Sequence, residues 1–225
     1  MYGITKDTQE VKVFPPMPTG INENIILDDV FMKEINDSDV LCYRFVNPAG
    51  SYLEHLMFPV DKDRTMRFYE DFPKTHSLNN KAHGFVKGEP IKPRDGYIIE
   101  LDNFNSFNKH IVSKFAMEDE IIESQKDVSS YKEFCQSIIN LIEGKEHKKV
   151  KLRLLVILNN KDYTTLPKYP PFIELQTDGP TSLKINTKYH KLKPDAVAND
   201  DPHTVAQESS FDNTAGFDYN DEPKF

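Results

Sequence analysis

Between Lys145 and Lys193 the chain places eleven bases against four acids (Glu146, Asp162, Glu174 and Asp178), with Tyr163, Tyr169, Phe172 and Tyr189 interleaved among them. Cations at this density can neutralise a phosphate backbone, and aromatic faces stack unpaired bases at about 1–3 kcal/mol per base. The pattern points to holding a single-stranded polyanion. Covalent chemistry finds less support. The chain contains no Gly-rich phosphate loop, no dinucleotide fingerprint and no nucleophile elbow. Its seven histidines show no ligand spacing with one another or with Cys42 and Cys135, so no metal and no cofactor are expected. Glu89, Lys92, Glu100 and Asp102 lie close enough in sequence to suggest a Mg²⁺-dependent nuclease as an enzymatic alternative.

A second charged feature follows directly. From Asp195 to Phe225 the sequence has no hydrophobic period and carries eight acids against one base, Lys224. Most of the formal net charge of −8 resides there, and the part before Asp195 is nearly neutral. Low hydrophobicity with high net charge predicts a disordered acidic tail. A polyanion tethered beside a cationic groove competes with other polyanions at high effective concentration. The chain ends Asp221-Glu222-Pro223-Lys224-Phe225, and a partner pocket can grasp a terminal aromatic together with its carboxylate. Asp218, Asp221, Glu222 and Phe225 are thus candidate partner-binding residues.

The elements that must position these residues read as follows. Residues 1–19 form an N-terminal arm. Three strands succeed one another as a meander, near Ile25–Phe31, Val40–Val46 and Ser51–Val60, with turns at Asn36–Asp39 and Asn47–Gly50. Residues 61–108 are charged and aromatic (Arg64, Arg67, Phe68, Tyr69, Phe72) and read as part of an insertion, about 61–145. Tyr97–Leu101 is a possible short strand within it. A loose helical pattern runs through Ile111, Phe115, Ile121 and Ile122. A clearer one has Ser130 as cap, Glu133 at the capping-box position, Phe134, Ile138, Leu141 and Ile142 at helical steps, and Gly144 as terminator. Val150–Leu158 is the best strand in the chain. Phe172–Leu175 is a fifth strand that Leu183–Ile185 could extend.

Three meandering strands, a helix-bearing connection and two further strands give the element order of an OB-fold. The expected class is α+β, mainly β: an elaborated OB-fold barrel with a helical insertion between strands three and four. Residues 1–194 form the binding domain and 195–225 the tail. In such a barrel the loop after strand four, here 159–171, is a binding loop. Lys151, Arg153, Lys161 and Lys168 are candidate phosphate contacts, and Tyr163, Tyr169, Tyr43 and Phe45 are candidate stacking platforms. Cys42 and Cys135 each sit in an apolar stretch and read as buried free thiols of a reducing compartment. No run of about 18 apolar residues occurs, so a soluble intracellular protein, without a membrane partner, is expected.

The acidic tail ending in Phe resembles those of single-stranded DNA-binding proteins of bacteria and tailed phages. Val150–Glu174 and the entry Gly20-Ile21-Asn22-Glu23-Asn24 resemble phage-encoded single-stranded DNA-binding proteins of the OB-fold type. The resemblance implies strand protection during DNA replication, recombination and repair, with the tail recruiting replication proteins such as a polymerase or helicase. Two departures stand out: the chain has no Trp, and Lys224 dilutes the acidity beside the terminal Phe. A virion structural or assembly protein is the other non-enzymatic alternative.

Overall fold

A computed structural model describes residues 14–75 and 88–193. The first thirteen residues, the 76–87 stretch and the acidic tail with Asp218, Asp221, Glu222 and Phe225 lie outside the described residues.

The meander forms because its turns suit their residues. β1 (Gly20–Ile35) meets β2 (Ser38–Val46) through Asn36 and Asp37, whose φ angles are 48° and 60°. A two-residue hairpin of this twist needs positive φ at both positions, which Asn and Asp tolerate. Between β2 and β3 (Tyr52–Met57), Asn47 Oδ1 accepts the Ser51 N–H at 2.8 Å, and Gly50 takes φ 83°.

β1 is 16 residues long and serves two partners. Its first part pairs with β4 (Leu152–Leu158) and the remainder with β2, all antiparallel. Register shifts between Asn22 and Ile25 and between Leu27 and Asp29 bend it where it changes partner. The strand order is β3-β2-β1-β4-β5, with β5 at Thr164–Thr165. The two ends of this sheet approach each other, with His55 Nδ1 of β3 lying 3.2 Å from Thr165 Oγ1. The result is an α+β fold built on a nearly closed antiparallel five-strand barrel, consistent with an OB-like arrangement.

The fifth strand is interrupted. Thr164 and Thr165 pair with Leu158 and Ile157, whereas β6 (Ile173–Leu175) pairs with Leu154 to Leu152. In between, residues 166–172 leave β4 as an excursion, anchored by buried Leu166 and Phe172, and return through the Phe172 carbonyl, which accepts the Leu155 N–H at 2.8 Å. The Pro170–Pro171 peptide is cis. The expected extension at Leu183–Ile185 forms no strand; Leu183 packs into the core instead.

Four helices lie between β3 and β4 among the described residues: α1 (Lys62–Asp71), α2 (Pro93–Val112), α3 (Glu118–Ser124) and α4 (Tyr131–Glu143). The strand expected at Tyr97–Leu101 is instead part of α2. Pro93 opens that helix, and Phe104, Phe107, Asn108 and Ile111 recur at three- and four-residue steps on its buried face. The α4 boundaries agree with the sequence reading: Ser130 and Glu133 make the reciprocal capping box, and Gly144 follows the last turn.

The α2 face packs against the barrel interior. Phe107 stacks on Phe172 with centroids 4.4 Å apart and on His55 at 4.7 Å. The Tyr43 hydroxyl donates to Asn108 Oδ1 at 2.8 Å. On α4, the Tyr131 hydroxyl accepts the Leu41 N–H at 2.8 Å and donates to the Met57 carbonyl, so a side chain bridges a cross-strand pair of β2 and β3. α1 and α2 approach closely because Gly96 faces the Tyr69 ring, where an added Cβ would fall 2.4 Å from Cδ2.

Candidate nucleic-acid interface

Register decides which side chains can reach a ligand, and it moves two candidates inside. Tyr43 and Phe45 are fully buried. The same alternation turns Arg44 and Val46 outward, where they line a groove of about 490 Å³ with Phe14, Asp28, Gly50, Tyr52 and Glu54. Tyr43 and Phe45 are therefore corrected from stacking platforms to core residues. Strands alternate faces, and parity cannot be assigned until the neighbouring strand is placed.

The outward groove has aromatic walls, but its charges are matched internally. Glu54 accepts from Lys33 at 2.6 Å and from Arg44 Nη2 at 2.8 Å, and Arg44 lies over the Phe31 ring at 4.7 Å. Burial pushes the Glu54 carboxyl up, and the hydrogen bonds from Lys33 and Arg44 more than reverse this, leaving it below its usual value.

Arg153 is also corrected. Its side chain is 7% exposed, and all three guanidinium nitrogens are engaged. Nε donates to Glu23 at 2.9 Å, Nη1 to Glu174 at 3.2 Å, and Nη2 to the carbonyls of Thr177 and Gly179 at 2.7 Å each. A phosphate would have to displace two carboxylates and two carbonyls that already satisfy it. Lys151 is exposed at the start of the same strand.

Other candidates converge at the opposite end of β4. Asn159 Oδ1 accepts the N–H groups of Lys161 and Tyr163 at 2.9 and 3.0 Å, and Asp162 takes φ 63°, which makes a tight turn. Tyr163 projects from it 67% exposed. The segment 186–193 returns on the other side of the same strand end. There the Leu158 N–H donates to the Lys191 carbonyl at 2.7 Å, and Lys191 Nζ pairs with Asp162 at 2.7 Å. This brings Tyr189, 48% exposed with Lys188 Nζ 5.1 Å from its ring centroid, to the same end of the barrel. Lys161, Lys188, Lys191 and Lys193 are all exposed there. Lys188, Tyr189, Lys191 and Lys193 belong to the basic-aromatic segment but not to the candidate contacts expected from sequence. Their signal was the continuation of the Lys/Tyr pattern beyond the fifth strand.

Lys168 and Tyr169 occupy the excursion of the fifth strand. Tyr169 is exposed, and Lys168 Nζ lies 5.6 Å from its ring centroid and 3.5 Å from the buried Glu100 carboxylate. Glu100 Oε1 also accepts from the Tyr69 hydroxyl at 3.2 Å. The acids considered for Mg²⁺ do not assemble: among the described residues no three of His, Cys, Asp and Glu come together to hold a metal. Cys42 and Cys135 are buried and unpaired, with burial pushing their thiols up to about 12 and about 11. No helix among the described residues is long and apolar enough to cross a membrane.

Comparison with family models, with curated proteins and with solved structures finds no match to this chain.

Proposed function

We propose that the chain is a single-stranded DNA-binding protein, built as an elaborated OB-fold whose helical insertion lies between strands three and four. The observation that carries this reading is the meeting of exposed Tyr163 and Tyr189 with Lys161, Lys188, Lys191 and Lys193 at one end of β4. Lysines there neutralise phosphates while tyrosine faces take unstacked bases, an arrangement that tolerates any sequence. Lys168 and Tyr169 extend the same surface. No catalytic group is assigned. In this reading the acidic tail competes with DNA for the cationic surface, and it recruits replication proteins through Asp218, Asp221, Glu222 and Phe225 in the host-cell cytoplasm.

Binding of oligothymidylate across a salt series tests the proposal. Affinity should fall steeply with salt, with a log–log slope of about −0.7 per phosphate contact. It should weaken about 5-fold or more in Tyr163→Ala and in Tyr189→Ala. Salt-independent binding, or equal affinity for duplex, would remove the reading.

A further inference from the structure

Two turns at the same end of β4 share one local design. In the first, Asn159 Oδ1 accepts the N–H groups of Lys161 and Tyr163, and the Asn159 carbonyl accepts the Asp162 N–H at 3.1 Å. In the second, Asn186 Oδ1 accepts the Lys188 N–H at 3.1 Å, and the Asn186 carbonyl accepts the N–H groups of Tyr189 and His190 at 3.0 and 2.7 Å. His190 Nδ1 closes this turn by accepting the Asn186 N–H at 3.0 Å. In both, a side-chain amide oxygen stands in for a backbone carbonyl. Each turn carries a lysine two residues after its Asn and an exposed tyrosine one or two residues beyond that.

β4 sets the distance between the turns. Leu158 is paired with Thr164 on one side and with Lys191 on the other, both antiparallel. Two inter-strand spacings therefore separate Thr164 from Lys191, about 10 Å. Tyr163 directly precedes Thr164 and Tyr189 lies two residues before Lys191, so both stand past the same strand end. Further along, the Lys193 N–H donates to Oγ1 of buried Thr19 at 2.9 Å, which ties the segment of the second turn to the barrel. Between the turns Lys191 Nζ reaches Asp162, which places an ion pair, not an open slot, in the gap. Successive bases of a stacked strand are only about 3.4 Å apart.

We propose that Asn159 and Asn186 are positioning residues, each folding a prong that offers one tyrosine face to one base, so that Tyr163 and Tyr189 hold different bases of a single strand. This rests on the single-strand reading above. Bases locked in a duplex stack cannot spread to prongs set about three times the stacking distance apart, so the spacing itself favours single strands.

Two double-mutant cycles, run with the full chain and an oligothymidylate of about 12 nucleotides, test this. Across the prongs, the Tyr163→Ala and Tyr189→Ala losses, about 5-fold or more each, should multiply to within about 2-fold. Within one prong, Asn186→Ala should weaken binding about 3-fold or more, and adding it to Tyr189→Ala should cost less than about 2-fold further. Asn186→Ser, which keeps a hydroxyl acceptor for the turn, should restore most of the affinity. Asn159 should behave likewise with Tyr163; should Asn159→Ala melt early, the exposed Asn186 decides alone. If Asn186→Ala binds like the parent, or its loss adds in full to that of Tyr189→Ala, the positioning role is overturned and the single-strand reading stands. If the two tyrosine losses fail to multiply, the rings share one base and the two-prong arrangement is overturned. If the unmodified chain shows no preference for single strands, both readings fall together.

Discussion

Replacing Arg153 by Met separates a structural arginine from a ligand-binding one. The guanidinium donates to Glu23, Glu174 and the carbonyls of Thr177 and Gly179. Glu23 is 54% exposed, so its pair is worth under about 1 kcal/mol. Glu174 is 17% exposed and cannot readily rehydrate. Breaking a buried pair from one side typically costs about 3–5 kcal/mol. Ser182 continues to donate its N–H, at 3.0 Å, and its hydroxyl to the stranded carboxylate, which places the expected loss near the lower end, about 3 kcal/mol. For a body of this size that corresponds to a fall in Tm of about 6–12 °C. The loss should shrink in acid. Burial raises the Glu174 carboxyl while Ser182, Thr181 and Arg153 lower it, and without Arg153 it can take up a proton more easily. The double variant Arg153→Met/Glu174→Gln should recover part of the stability, since it no longer buries an unpaired charge. Thermal melts of the two variants and the parent, run at neutral and mildly acidic pH, measure all of this. The salt slope for single-stranded DNA should not move in Arg153→Met. A Tm within about 2 °C of the parent, with a slope flattened by about 0.7, would refute the assignment and restore Arg153 as a phosphate contact.

Two further outcomes follow from the packing. Burial pushes His55 and His110 down to about 4. The unfolded chain therefore takes up protons first, and stability present above pH about 6.5 declines until about 4, by up to about 3 kcal/mol for His55. Urea unfolding at pH 7 and pH 5 should show a loss of about 2 kcal/mol from this residue, absent in His55→Phe, and a flat profile would contradict it. Gly96→Ala gains about 1 kcal/mol of helix propensity but drives a methyl into the Tyr69 ring, so a net loss of about 1–2 kcal/mol is expected. In a Tyr69→Ala background the same change should stabilise. Chemical denaturation of the four-member cycle reads both signs.

The sequence made local structure legible and long-range structure less so. The turn expected over Asn36–Asp39 tightens to Asn36-Asp37, with Ser38 and Asp39 already in β2, while the Ser130–Glu133 capping box and the apolar run of β4 appear where expected; each obeys rules confined to a few neighbours. Tyr97–Leu101 misled because a short apolar run fits a strand or a buried helix equally well. What makes it helix is its continuation through Phe104, Phe107 and Ile111 onto the barrel. Alternation fixes only that Tyr43 and Phe45 face away from Arg44, and the choice of the inner side depends on α2 supplying Asn108. Arg153 looked like its exposed neighbour Lys151. Only the fold brings Glu23 and the 174–179 segment across it. Lys161, Tyr163 and Tyr169 lie at the surface because turn and excursion residues lack ladder neighbours, whereas Lys168 is drawn towards the buried Glu100 by a contact that the sequence does not announce.

The break in the fifth strand bears on how such a barrel can change. Thr165 and Ile173 are both clamped to β4, so the residues between them can vary in length and composition without shifting the register on either side. Leu166 and Phe172 secure the two ends. Residues 169–171, exposed at the tip of the excursion, therefore form a natural graft point, where a new ligand preference could be acquired by replacing a few surface residues while the barrel stays fixed beneath them.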